Sequence, residues 1–290
     1  MTADLVTLNR RHDLAPPPAP VAIAEADLAT LRAAVSALEG STLAGRLSAM
    51  AGKPIELLGQ ALPTAARDMI SRAVEAALRA ALRAALTTLP KLADGAAPVR
   101  SGRYHTALAA ASGAFGGALG LATLPLELPL STTLILRAIA EIARQEGEDL
   151  ADPAVGLACL QVFALGSRTE TDDLASSGYF AVRSALAKSI TDAARLIAHR
   201  GLTDKSAPAL VRVTAQIAAR FGVVVSQKVA AGAVPIVGAI GGAAVNAAFM
   251  EHFRKVAGAH FAVRRLERLY GLEPVRAAYE AIRAEVTGRQ

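Results

Sequence analysis

Two histidines in the last quarter of the chain have side chains that could bind a metal ion. His252 follows Glu251, and His260 lies eight residues later. Imidazole is a common zinc ligand, but helical histidines that share one ion usually lie three or four residues apart. Gly258 also separates the two histidines. The spacing therefore favours a structural or interfacial role over a metal site.

Four polar residues lie within or beside apolar segments, where a charge is costly unless it is paired or functional. They are Glu127, Arg137, Glu141 and Asn246. Arg137 and Glu141 are four residues apart, so they can form an ion pair on one helix. Glu127 lies between Pro125 and Pro129, and we predict a break between helices there because proline lacks an N–H donor. The pattern favours structural pairing, with a polar site inside a cavity as the alternative.

Other candidates for chemistry are weaker. Ser226 and Lys228 could form a Ser–Lys pair, but no supporting motif surrounds them, and Lys228 could instead extend to a lipid headgroup. Cys159, the single cysteine, lies between apolar residues and is typical of a helical core. The sequence contains no Walker loop, nucleophile elbow or dinucleotide fingerprint. We therefore assign no catalytic residue and expect no cofactor.

Two long uncharged runs, residues 106–126 and 229–250, are rich in alanine and glycine. Each is long enough to cross the ~30 Å hydrocarbon core of a bilayer as a helix. Glycines four residues apart share one helix face and allow close backbone contact, as in membrane helix pairs. The runs either enter a membrane or form a tightly packed core. The candidates for membrane or partner contact are Gly113, Gly117, Gly120, Lys228, Pro235, Gly238 and Gly242.

Composition predicts an all-α protein. Hydrophobic residues make up 53% of the 290 residues, aromatic residues make up 4%, and Trp is absent. Apolar residues rarely alternate with polar ones, so strands are not expected. We predict a bundle of roughly ten helices with the two glycine-rich helices at its centre. The expected organisation is a disordered proline-rich tail over 1–22, a helix followed by a broken segment over 23–63, and a helical domain over 64–287.

The charge of the chain limits the class of partner. A net charge of +6 suits an anionic membrane surface. Nucleic acid is not expected, because the few aromatic residues are not interleaved with basic ones as stacking surfaces require. The predicted helix over 64–89 has a leucine face and an arginine face that includes Arg72, Arg79 and Arg83. Such a helix is typical of a membrane interface or of a bundle surface.

Three blocks of the sequence resemble the EcsC family of bacterial proteins. They begin PLELPLSTTLILRAIAEIARQ (125–145), SGYFAVRSAL (177–186) and VVVSQKVAAGAVPIVGAIGG (223–242), and the resemblance covers about residues 60 to 285. It implies a helical, membrane-associated protein, and the family's name implies an association with an ABC transporter. It supplies no catalytic residues. Together with the lone cysteine and the absence of a secretory signal, it indicates a cytoplasmic protein at the inner face of the membrane, peripheral or integral, and not a secreted one.

Three functions remain open at this point. The first is a non-enzymatic, membrane-associated protein that binds lipid or a membrane partner through the glycine-rich helices. The second is a soluble bundle with an apolar cavity for an acyl chain or isoprenoid. The third, and the one least favoured by the residues, is a hydrolase that uses acidic loops or the His252 and His260 pair.

Overall fold

The computed structural model describes residues 22–40, 42–90, 123–167, 178–200, 207–233 and 242–287. Within these ranges the chain forms ten α-helices and no strands, which confirms the predicted all-α bundle. The helices are α1 (Glu25–Glu39), α2 (Leu43–Ala51), α3 (Ile55–Gln60), α4 (Thr64–Thr87), α5 (Leu124–Gln145), α6 (Pro153–Leu165), α7 (Tyr179–Arg200), α8 (Ala207–Gly232), α9 (Gly242–Tyr270) and α10 (Leu272–Thr287).

Most of the first glycine-rich run and residues 234–241 of the second lie outside these ranges. Of the contact candidates, Gly113, Gly117, Gly120, Pro235 and Gly238 are not among the described residues. Gly242 is the first residue of α9, and Lys228 lies near the end of α8. The described parts of the two runs are residues 123–126, 229–233 and 242–250.

Helix α6 lies at the centre of the bundle. It is apolar on every side, which is typical of a fully buried helix, and every residue from Val155 to Leu165 is buried. It packs against α4, α5, α7, α8 and α9. Asp152 begins the helix, because its carboxylate accepts from the Ala154 N–H at 2.8 Å and Pro153 needs no donor at that position. Cys159 is buried in α6, and burial raises the pKa of its thiol to about 12.

Helix α4 packs between α5, α6 and α8. Its buried side is largely alanine, at Ala66, Ala73, Ala77, Ala81 and Ala84, and these small side chains let neighbouring helices approach closely. Its other side is exposed. The predicted helix over 64–89 is therefore confirmed to within two residues.

The predicted helix break at Glu127 is wrong. Helix α5 is continuous from Leu124 to Gln145 and includes both prolines. Pro125 lies in the first turn, where backbone N–H groups have no partner within the helix, so its missing donor costs nothing. Pro129 removes a single further bond. Glu127 consequently projects from the first turn of a regular helix.

Helix α1 closes one side of the bundle by packing against α9 and α10. At its C-terminal end, the buried Glu39 carboxylate accepts from the Tyr179 backbone N–H at 3.1 Å and from the Tyr279 hydroxyl at 2.7 Å. A carboxylate is favourable at this place because the first N–H groups of a helix carry partial positive charge. Glu39 thus joins α1 to the start of α7 and to α10.

Candidate functional site

Polar side chains follow one another along the 29-residue helix α9. At successive levels, polar side chains contact α9 from α5 and α8, from the end of α6, from α7, and from the turn after α5. We call this row of contacts, from Asn246 to Arg268, the α9 seam.

The first level of the α9 seam brings together three candidates from distant parts of the sequence. One oxygen of Glu127 accepts from the Lys228 ammonium at 2.8 Å and from the Asn246 amide at 3.0 Å. The ammonium also lies 5.2 Å from the centre of the Phe249 ring, close enough for a cation–π contact. This arrangement supports structural pairing of charges in an apolar segment.

Lys228 lies inside the bundle and does not extend to the surface as a headgroup contact would. Its side chain is 7% exposed. Burial lowers its pKa, and the Glu127 carboxylate opposes that shift. Ser226 does not form a pair with Lys228, because its hydroxyl donates to the Gly222 carbonyl of the same helix at 2.9 Å.

His252 forms the second level of the seam. Its Nε2 lies 2.7 Å from the Gly166 carbonyl at the end of α6. A side chain at Gly166 would not fit, since a Cβ there would lie 2.6 Å from the Phe253 ring. Burial lowers the pKa of His252 to about 4, although the Gly166 bond opposes the shift. The residue is therefore neutral at pH 7.

His260 belongs to a separate buried network that the sequence did not predict. Its Nδ1 lies 2.9 Å from the Tyr179 hydroxyl oxygen. Arg183 donates to the same oxygen at 3.2 Å and forms two 2.6 Å bonds with Glu267. Burial holds the pKa of His260 well below its usual value. The only hint in the sequence is that Tyr179 and Arg183 are four residues apart on one helix face.

The two histidines do not converge on a common site. One bonds to α6 and the other to α7. Among the described residues, no group of three or more His, Cys, Asp or Glu side chains could hold a metal ion. The structural or interfacial role that their spacing favoured stays a prediction, and the hydrogen bonds of the two histidines are compatible with it.

The last level of the seam is an ion-pair cluster with the turn after α5. Glu148 accepts from Arg264 at 2.8 Å and also from Arg268, while Glu146 pairs with Arg265 at 2.9 Å. Burial acts to raise the pKa of Glu148, but its bonds and charge interactions with the two arginines outweigh burial and lower it. Both carboxylates thus fix α9 against the end of α5.

The predicted pair between Arg137 and Glu141 does not form. Glu141 bonds instead to Arg144 at 2.9 Å and to Gln145 at 3.1 Å, and Arg137 is exposed. Both spacings are permitted on a helix, so the sequence alone did not decide between them. These two residues lie at the surface and do not form a polar cavity.

A different kind of surface lies on the other side of the bundle, along α4 and α8. Four apolar residues at intervals of four form an exposed stripe on α8, and Val211 and Val223 are 64% and 41% exposed. We call this stripe and the exposed side of α4 the α4–α8 face. The stripe consists of Val211, Ala215, Ala219 and Val223.

Basic residues outnumber acidic ones on the α4–α8 face. The acids that the two helices contribute are Asp68 and Glu75, both on α4, whereas α8 has none. The exposed or half-buried arginines are Arg67, Arg72, Arg79, Arg83, Arg212 and Arg220. An apolar stripe bordered by arginines combines the two features that attract a protein to an anionic apolar phase.

A groove of about 640 Å³ runs between α4 and α8. Its floor includes the buried Ile70, Val74 and Leu78 of α4. Its other wall is formed by small residues of α8, among them Ala218, Ala219 and Gly222. The groove opens to the surface, because Arg67, Ala215 and other lining residues are exposed.

Helix α8 also has the length and composition of a membrane-spanning helix. Among the described residues, one segment, Pro208–Gly232, meets that criterion, with a mean hydropathy of 1.4. A core helix of a soluble protein can meet it too, but only 33% of the apolar window in α8 is buried. Much of this apolar helix is therefore uncovered.

The family model for the EcsC protein family matches residues 25–266, which is most of the chain and includes α1 to α3. No curated protein and no solved structure matches the chain.

Proposed function

We propose that this chain, which belongs to the EcsC protein family, is a non-enzymatic helical protein that binds anionic membranes through its α4–α8 face. The observation that carries the proposal is the exposed apolar stripe of α8, bordered by arginines on both helices. The membrane contact is peripheral: the face lies on the bilayer surface while the α9 seam holds the bundle together.

Two forces favour this orientation. Apolar side chains gain free energy when they leave water for the boundary between headgroups and acyl chains. Each arginine near an anionic leaflet contributes about 1 kcal/mol, and its guanidinium can stay at headgroup level while its stem covers apolar surface. With six arginines and two acids on α4 and α8, the electrostatic contribution favours an anionic surface over a zwitterionic one.

The other two functions receive unequal support. The groove between α4 and α8 favours binding of an apolar ligand, but it is open along the face, so such a ligand would be reached from the membrane side. Among the described residues, the hydrolase hypothesis gains no support, because His252 and His260 lie in separate hydrogen-bonded positions. A partnership with an ABC transporter stays a prediction from the family's name.

Sedimentation with vesicles tests the proposal. We expect the full chain to pellet with equimolar phosphatidylglycerol and phosphatidylcholine vesicles at low salt, to stay in solution with phosphatidylcholine alone, and to be released by high salt. The double substitution Val211→Glu and Val223→Glu places charges on the stripe and should abolish pelleting. Leu269→Glu is the control for a charge placed elsewhere, since Leu269 is 60% exposed, compared with 64% for Val211, but lies on α9.

A wild-type chain that remains in the supernatant with the anionic vesicles at low salt would overturn the proposal, because it would not bind anionic membranes. Equal loss of pelleting in the Leu269→Glu variant would mean that the α4–α8 face is not the contact surface.

A further inference from the structure

The groove between α4 and α8 has the dimensions of a binding site for one extended chain. Its volume of about 640 Å³ lies within the ~300–1,000 Å³ range of small-molecule sites. The lining residues Arg67 and Arg79 are twelve positions apart on α4, which corresponds to about 18 Å along a helix. One leaflet contributes about 15 Å to the hydrocarbon core of a bilayer, so the groove matches the length of a membrane acyl chain.

The direction of the two helices places different residues at the two ends of the groove. The Cβ position of Gly59 in α3 lies 3.5 Å from the backbone nitrogen of Gln227, near the end of α8. Helix α4 begins five residues after Gly59, at Thr64. The start of α4 therefore meets the end of α8, and Arg67 and Ser226 lie at the same end of the groove.

The two ends differ in available charge. At one end, Arg79 forms an ion pair with Glu75 at 3.5 Å. At the other, the Arg67 Nε donates to the Leu62 carbonyl at 2.9 Å, and Arg67 forms no ion pair with a carboxylate of the described residues. The Leu62 bond orients the guanidinium while its two terminal amino groups stay available. Two parallel donors of this kind match the oxygen atoms of a phosphate.

We infer that the groove binds one acyl chain of an anionic phospholipid, with the lipid phosphate on Arg67 and the chain directed along Val74 and Leu78. This inference rests on the proposed function, because it names the lipid that the α4–α8 face takes up from the bilayer. The small side chains Ala218, Ala219 and Gly222 leave the space that the chain fills, and the charge of the Arg67 end is complementary to the phosphate.

Native mass spectrometry of the full chain with phosphatidylglycerol tests the inference. The wild-type chain should retain one phosphatidylglycerol and no phosphatidylcholine. Gly222→Leu should retain none, because a Cβ at Gly222 meets nothing within 4 Å and the added side chain occupies the groove. Leucine has a higher helix propensity than glycine, so we expect the variant to fold. Arg67→Gln should weaken retention about tenfold, as expected for the loss of a bond to a charged group.

Gly258→Leu is the matched control for the filled groove. Gly258 also lies within a helix with nothing within 4 Å of a Cβ, but it is on α9, away from the groove. We expect this variant to retain one phosphatidylglycerol, as the wild type does.

The outcomes separate the inference from the proposed function. Vesicle binding without a retained lipid in the wild type overturns the groove site and leaves the membrane contact standing. Equal retention of the lipid by Gly222→Leu and Gly258→Leu would also overturn the groove site. Because Gly222→Leu keeps the arginines and adds apolar surface, we expect that variant to pellet with anionic vesicles. A failure of the proposed function would instead appear as wild-type protein that does not pellet.

Discussion

The α9 seam and the α4–α8 face differ in how far their charged side chains are compensated by opposite charges. Along the seam, the arginines Arg183, Arg264 and Arg265 each bond to a carboxylate at less than 3 Å. On the face, Arg67 forms no such pair with a described residue, and Arg79 forms only a long, exposed one. Charges that neutralise one another hold helices together, whereas uncompensated charges beside apolar surface are available to a ligand.

Helix α8 takes part in both regions, so the contrast lies within a single helix. Lys228 is buried and paired at the seam, while Val211 and Val223 are exposed on the face. Variants that break the seam should therefore change stability, and variants that change the face should change vesicle binding.

Lys228→Ala should cause the largest loss of stability. It leaves the Glu127 carboxylate, which is 14% exposed, without its cation, and breaking a buried ion pair in this way typically costs ~3–5 kcal/mol. Chemical denaturation measures the change in the free energy of unfolding. Removing both charges with Glu127→Leu and Lys228→Met should recover part of the loss, since no buried charge remains unpaired.

Lys188→Ala is the control for this experiment, because Lys188 is exposed on α7 and should change stability by less than ~0.5 kcal/mol. A Lys228→Ala variant of normal stability that no longer pellets with anionic vesicles would contradict the structural role of Lys228. Such a result would indicate that Lys228 contacts a lipid headgroup.

His252 should make the seam sensitive to acid. Its pKa is lowered from 6.5 to about 4 in the folded protein, so below pH 6.5 the unfolded chain binds a proton that the folded chain does not. Its contribution to stability is therefore present above pH 6.5 and is lost as the pH falls to about 4. The linked free energy is about 3 kcal/mol.

Comparison with His252→Gln isolates this contribution. The stability advantage of the wild type over the variant should shrink by about 3 kcal/mol between pH 7 and pH 4, measured by denaturation at each pH. His260, also buried, is present in both proteins and cancels from the difference. A constant difference across this pH range would show that His252 does not remain neutral in the folded state.

Local signals in the sequence predicted much of the fold. Asp152, Pro153 and Gly166 mark the two ends of α6 because capping depends on neighbouring residues only. The helix over 64–89 followed from the spacing of its apolar residues. The proline rule failed at Glu127 because its cost depends on where the helix begins, which the sequence did not reveal.

The contacts between helices could not be predicted in the same way. Glu127 and Lys228 are 101 residues apart. Glu127 was recognised as a charge beside an apolar segment and Lys228 as a candidate membrane contact, but neither was recognised as the partner of the other. The sequence predicted only part of the α4–α8 face. The sequence revealed the arginines of α4, but the exposure of Val211 and Val223 depends on which helices cover α8, and that is a property of the assembled bundle.

Glu75→Gln should have the smallest effect on stability and a measurable effect on the face. Its pair with Arg79 is 3.5 Å long and more than half exposed, so its loss should cost no more than ~0.5 kcal/mol. Removal of one acid from the face should strengthen vesicle binding by about 1 kcal/mol, or roughly fivefold. Titration with anionic vesicles at low salt measures the change.

Glu251→Gln provides a closely matched comparison on α9. Glu251 also pairs with an arginine on its own helix, Arg254 at 3.4 Å, and its side chain is 60% exposed compared with 56% for Glu75. Both substitutions raise the net charge by one, so a response to net charge alone would strengthen binding equally in the two variants. An increase confined to Glu75→Gln would instead locate the membrane contact on the α4–α8 face, because an uncompensated charge acts on a surface only within about one Debye length of it.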